Sequence, residues 1–180
     1  YFFAQAPRDG VILDVRSNGG GQFADYVLDV LRRNFTAGVA LRPGMDYTAP
    51  GTLVPGPKVM LIDECAGSGG DMLPWAFRRL GLGTLVGKRT WVGLVGISSY
   101  PPLMDGGWVT APSLGIWSDE GWVAENVGIA PDVEVEQTPR AVLDGGDPQL
   151  EAAIRIALEQ LEANPPVRPV RPPYPDKTRR

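Results

Sequence analysis

Ser68 stands in Ala66-Gly67-Ser68-Gly69-Gly70-Asp71, after the apolar run Val59-Met60-Leu61-Ile62 and ahead of the segment Met72 to Leu80. An apolar run, a glycine-rich turn and a helical segment read as buried strand, sharp turn and helix, which displays the serine hydroxyl at the carboxyl end of a strand. The backbone N–H of Gly69 then opens toward a helix N-terminus, where negative charge is stabilised. Such a place suits a nucleophile. The spacing nearly matches the G-x-S-x-G elbow of hydrolases, with Ala66 at the first glycine position, although the same small residues also make an ordinary turn. A serine nucleophile needs a base of near-neutral pKa, and histidine is the usual one. The 180-residue sequence contains no histidine. Either Ser68 is not catalytic, or a lysine takes its proton, or the base lies on a segment outside these residues.

A second unit of the same kind precedes it. Val11-Ile12-Leu13-Asp14-Val15 is a strand of the sort buried on both faces of a parallel sheet, followed by Arg16-Ser17-Asn18-Gly19-Gly20-Gly21. Phe23, Tyr26, Val27, Val30 and Leu31 then recur at helical spacing. Three consecutive glycines bare backbone N–H groups that suit an oxyanion, while the Lys-Ser/Thr of a phosphate loop is absent. A tight turn that lets the helix pack closely explains the same residues. Thr84-Leu85-Val86 adds a further strand. Repeated strand, turn and helix units predict an α/β domain with right-handed crossovers.

The remaining segments are less chemical. Residues 36–57 are rich in Gly and Pro and read as a surface excursion. Asp105-Gly106-Gly107 marks a hairpin turn, and Trp108, Trp117 and Trp122 are expected to pack against the sheet rather than line a groove. Asp119 and Glu120 read as a solvated turn, and Glu125, taken alone, as a solvated loop residue. Asp147 and Pro148 cap a last helix whose apolar face is predicted at Leu150, Ile154, Ala157, Leu158 and Leu161. Beyond Asn164 the chain is Pro-rich, and residues 165–180 carry five basic side chains against one acidic, a local +4 within a chain of net charge −4. That segment reads as a solvated tail or as a strap on an acidic neighbour. The lone Cys65 forms no internal disulfide and is expected to pack beside the core strand. The acidic balance points away from nucleic acid, and no stretch is long and apolar enough for a membrane span.

Taken together, Gly10 to Gly21, Ala66 to Asp71, Gly87-Lys88-Arg89-Thr90-Trp91 and Asn126-Val127-Gly128-Ile129-Ala130-Pro131-Asp132-Val133 resemble, in order and spacing, the tail-specific protease family, and within it the tricorn branch. The resemblance covers residues 1–163, which it implies are a C-terminal catalytic subdomain cut from a longer chain, with 164–180 as a Pro-rich basic tail. It implies a ClpP/crotonase-like α/β spiral of strand-strand-helix units. It makes Ser68 the nucleophile of a serine peptidase working through an acyl-enzyme, Gly69 with Gly19 or Gly20 the oxyanion hole, and Glu125 the acidic member of the relay. Relatives with a Ser-Lys dyad place the lysine where Gly93 stands here, and Lys88 fits a solvated strand end. The resemblance therefore implies a histidine base on an upstream segment, and an inactive isolated chain. It further implies a peptide or unfolded-protein substrate, no metal or other cofactor, a homo-oligomer and a cytoplasmic location. A non-catalytic peptide-binding module on the same fold is the alternative, ahead of an acyl-CoA enzyme.

Overall fold

The computed structural model describes residues 2–22, 24–42, 44–99, 101–176 and 178. In chain order the elements are α1 (Phe2–Gln5), β1 (Val11–Asp14), α2 (Ala24–Leu31), β2 (Ala37–Val39), β3 (Tyr47–Ala49), β4 (Lys58–Ile62), α3 (Gly69–Arg79), β5 (Thr84–Gly87), β6 (Gly96–Ser99), β7 (Thr110–Leu114), β8 (Trp117–Ser118), β9 (Gly121–Trp122), β10 (Val133–Glu134), α4 (Pro139–Leu143) and α5 (Pro148–Ala163). Four of them form a parallel sheet in the order β1-β4-β5-β10.

β4 is the centre of that sheet because Val59, Met60, Leu61 and Ile62 can be buried on both faces at once. Successive side chains of a strand point to opposite faces. Met60 and Ile62 join Leu28, Leu31, Leu73, Phe77 and Leu85 under α2 and α3, while Val59 and Leu61 meet Val86 and the Ala153, Ile156 and Ala157 face of α5. Covering both faces with helices fixes the register, since a one-residue slip would exchange the two sets.

Both helical stripes are rotated from the sequence expectation. In α2 the residues turned inward are Ala24, Val27, Leu28 and Leu31, and Tyr26 is exposed; Phe23 lies outside the described residues. In α5 the buried set is Gln149, Ala153, Ile156 and Ala157, while Ile154 and Leu158 face outward. Gln149 sets that rotation. Its amide donates to the Val135 carbonyl (3.0 Å) and its oxygen accepts from Arg16 (3.3 Å), and the small Ala153 and Ala157 then let the helix approach the sheet.

The excursion 36–57 contains an antiparallel hairpin, β2–β3, that the sequence reading did not resolve; Pro43 lies outside the described residues. β6–β7 and β8–β9 are also separate two-stranded ribbons. The expectation that the tryptophans of this region are packed is overturned, for Trp108 in the β6–β7 connection and Trp117 and Trp122 on β8 and β9 are 72, 73 and 77% exposed. A two-stranded ribbon that joins no larger sheet has no layer over its faces. Cys65 is likewise exposed, because the strand has already ended and the Ala66 N–H closes a turn onto the Asp63 carbonyl (3.1 Å).

Candidate active site

The loops that follow β1, β4 and β5 meet at the carboxyl ends of these neighbouring parallel strands, the usual location of a site in an α/β sheet. Ser68 occupies the N-cap position of α3 with φ 56° and ψ −116°, a backbone conformation that side-chain-bearing residues avoid. Such strain persists only where the surroundings over-determine it. Here the Ser68 N–H donates to the Gly93 carbonyl (2.7 Å), and the Ser68 carbonyl accepts from the N–H groups of Asp71 (2.9 Å) and Met72 (3.0 Å). The hydroxyl caps no helix N–H and has no hydrogen-bond partner among the described residues, and the residue is half-buried.

The glycine turn after β1 is locked onto this elbow. The Asn18 carbonyl accepts the Gly67 N–H (2.9 Å), and Asp63 Oδ1 accepts the N–H groups of Ser17 (2.7 Å) and Cys65 (3.2 Å). Gly20 has φ 114°, and a Cβ there would stand 2.7 Å from Ser68 Cβ, 2.9 Å from Ser68 Oγ and 3.1 Å from the Gly69 nitrogen. A Cβ on Gly69 would collide with the Gly21 carbonyl, and one on Gly70 with the Asn18 carbonyl, so two backbones approach where only glycine fits. Gly19 faces open space. Among the described residues the Gly69 and Gly19 N–H groups have no acceptor, whereas the Gly20 N–H already donates to Asn18 Oδ1 (3.0 Å).

Arg16 roots the start of that turn. Its guanidinium bridges Asp14 (2.6 Å) and Asp147 (2.9 Å), the latter also capping α5 by accepting the Leu150 N–H (3.0 Å). Hydrogen bonds from Arg16 hold both carboxyls below the ordinary carboxylate range.

Glu125 does not touch Ser68. Its Oε2 accepts the N–H groups of Leu94 and Val95, both at 2.8 Å, in the loop whose Gly93 carbonyl holds the serine backbone. Lys88 donates to Glu134 (2.7 Å) and Glu136 (2.8 Å), which raise its pKa and keep it protonated. Lys58 sits at the opposite, amino end of β4, and Lys177 lies outside the described residues. Among the described residues no group beside Ser68 is suited to take its proton.

Three contributors escaped the sequence reading as functional residues. The Gly93 carbonyl holds Ser68, and Asp71 and Thr90 form a buried hydrogen-bonded pair behind it. Asp71 in the first turn of a helix reads in sequence as a partner for the helix dipole, and nothing in its spacing shows that it faces another loop.

A strained serine at a strand-to-helix turn has an uncommitted N–H next to it and a second glycine turn against it. Comparison with known proteins gives the family. The chain is 42% identical over 163 residues to tricorn protease homolog 1 of Streptomyces coelicolor and 39% identical over 168 residues to tricorn protease of Thermoplasma acidophilum. Each alignment covers 89% of this chain and 15% of the relative, so the chain spans about 15% of their length. The crystal structure of the tricorn protease superposes with a TM-score of 0.80 at 39% identity, over 86% of this chain and 15% of that one. The photosystem II D1 C-terminal processing protease shares the fold, with a TM-score of 0.53 at 24% identity over 86% of this chain and 40% of that one. Residues 3–135 match peptidase family S41, and the chain belongs to that family. The α/β architecture expected from the sequence is the one it shares with these peptidases.

Proposed function

We propose that the chain is the nucleophile-bearing part of a serine peptidase that cleaves peptides or unfolded polypeptide through an acyl-enzyme on Ser68. The observation that carries this reading is the strained elbow. It holds a hydroxyl with no hydrogen-bond partner among the described residues next to the uncommitted Gly69 N–H. Ser68 Oγ attacks the scissile carbonyl while a base takes its proton. The tetrahedral oxyanion is received by the Gly69 N–H and a donor from the Gly19-Gly20 turn. The C–N bond then breaks as the base returns the proton to the leaving amine, and water hydrolyses the ester. Of the two turn glycines, Gly19 has the unengaged N–H, and donation by Gly20 requires sharing its bond with Asn18. Glu125 acts through the 93–95 backbone, orienting the relay rather than contacting the nucleophile.

The base is a histidine contributed from outside these residues, a reading supported by the absence of histidine and by the engagement of Lys88. Kinship with tricorn supports a homo-oligomeric assembly in the cytoplasm; among the described residues no helix is long and apolar enough to cross a membrane. The test is a serine-reactive fluorophosphonate probe and a peptide assay on the longer parent protein. Ser68→Ala should abolish labelling and lower turnover by about 10³-fold or more. Unchanged hydrolysis by that variant overturns the assignment. Labelling without hydrolysis identifies a peptide-binding relative, and turnover by the isolated 180-residue chain overturns the external base.

A further inference from the structure

We propose that Asp71 is a positioning residue for the nucleophile, holding Ser68 through the 90–93 loop; the inference rests on the serine-peptidase reading above. Asp71 is fully buried, and Oδ1 accepts from the Thr90 hydroxyl and from the Val92 N–H (3.3 Å). Its Oδ2 is buried with no partner among the described residues. A carboxylate in the first turn of a helix ordinarily serves its own helix, yet this one accepts nothing from α3 and points into a neighbouring loop. Burying a carboxyl is unfavourable unless its hydrogen bonds secure something that an apolar side chain would not.

What it secures is a closed ring through Ser68. The Asp71 N–H donates to the Ser68 carbonyl (2.9 Å), while its side chain holds Val92, and the next residue, Gly93, takes the Ser68 N–H at 2.7 Å. Val92 is β-branched and sits at φ 79°, a conformation that its neighbours must enforce. Two contacts do so: its N–H on Asp71 and its carbonyl, which accepts the Asn126 N–H (3.0 Å). Thr90 extends the ring, since its Oγ also accepts the Ile129 N–H (2.8 Å). Ser68 and Val92, both at positive φ, are thus linked through the Ser68 N–H bond to the carbonyl of Gly93, the neighbour of Val92, with Asp71 holding Ser68 on one side and Val92 on the other. Releasing the clamp lets the loop and the elbow relax together, which displaces Ser68 Oγ relative to the Gly69 N–H without removing any reacting group.

The test uses the longer parent protein, with rates expressed per fluorophosphonate-titrated serine so that loss of folded protein does not enter. Asp71→Ala should lower kcat about 10²-fold with KM within about twofold, the size of effect expected of a displacement near 1 Å remote from the chemistry. Asp71→Asn, which keeps the Oδ1 acceptor, should recover most of that loss. Thr90→Val should reproduce part of it, and Asp71→Ala with Thr90→Val should be no worse than Asp71→Ala alone. Wild-type kcat per titrated serine in Asp71→Ala overturns the proposal. If that variant does not fold, wild-type kcat in Thr90→Val overturns it. Silence of Ser68→Ala alongside normal Asp71 variants defeats this inference alone, whereas continued cleavage by Ser68→Ala defeats the peptidase reading first.

Discussion

The elbow around Ser68 and the Pro-rich segment after α5 are both irregular backbone, and they are held in opposite ways. At the elbow, Ser68, Gly69 and Gly70 are fixed by main-chain contacts on all sides, and the strand feeding into it is buried on both faces. Residues 165–176 form neither helix nor strand, and the contacts that attach them to the fold among the described residues are made by their side chains. Arg168 reaches Asp9 (2.6 Å) and the Pro7 carbonyl (2.8 Å), while Arg171 pairs with Asp46 (3.1 Å) and covers the Tyr174 ring at 4.3 Å. These anchors recur every third residue, as a polyproline helix would place them, and Val167 and Val170 point outward at 89 and 91% exposed. The strap contacts an acidic surface of its own chain; Lys177, Arg179 and Arg180 lie outside the described residues. The contrast teaches that irregular backbone can be as rigid as a strand when its own peptide groups are the contacts, and is only tethered when long charged side chains are.

The contrast can be broken most severely beneath the elbow. Phe77 is fully buried on the inner face of α3, and Phe77→Ala should cost about 3–5 kcal/mol of stability by urea denaturation, because the cavity opens where α3 rests on Met60 and Leu85. Next comes the elbow itself. Gly70→Ala places a Cβ against the Asn18 carbonyl and should cost about 1–3 kcal/mol as backbone shifts, with loss of probe labelling in the parent protein. Gly19→Ala, which meets open space, should stay within about 0.5 kcal/mol, and equal effects at the two glycines would show that packing does not distinguish them.

Arg16 lies between the extremes, its side chain 17% exposed. Arg16→Met should cost about 1–2 kcal/mol, the range for hydrogen bonds to a charged group partly open to solvent. It should also change the acid limb. Asp14 and Asp147 have lowered pKa values in the folded state, so between the folded value and the unfolded value of about 3.9 the unfolded chain binds more protons and stability rises with pH. Their contribution is complete about one unit above the unfolded value, near pH 5, and is lost as pH falls through the folded values. Urea midpoints followed from pH 6 down to pH 2.5 should therefore fall less steeply below pH 4 in Arg16→Met. The smallest effect belongs to the strap, where Arg171→Ala should change stability by less than about 1 kcal/mol and the difference should vanish in 1 M salt. A large, salt-independent loss would mean the strap is packed rather than tethered.

Much of this protein is readable from residue order. The apolar run of β4, the glycines on either side of Ser68, the Asp147-Pro148 start of α5 and the second glycine turn each follow from local rules of strand burial, turn conformation and helix capping. Those rules act over a few residues, so their traces lie side by side in the chain. Family resemblance supplied Glu125, which locally looks like any loop carboxylate. What the linear reading misplaced depends on partners distant in sequence. Which stripe of α5 turns inward was decided by Gln149, Arg16 and Val135, and Trp117 and Trp122 are exposed on a ribbon that joins no larger sheet. The glycine turn packs onto Ser68, and Asp71 clamps the 90–93 loop, across gaps of about 50 and 20 residues. The candidate site at Ser68 was therefore announced by its neighbours in the chain, whereas the orientation of that serine was settled by close packing and hydrogen bonds among separate loops, interactions that exist only once the parallel sheet has brought three strand ends together.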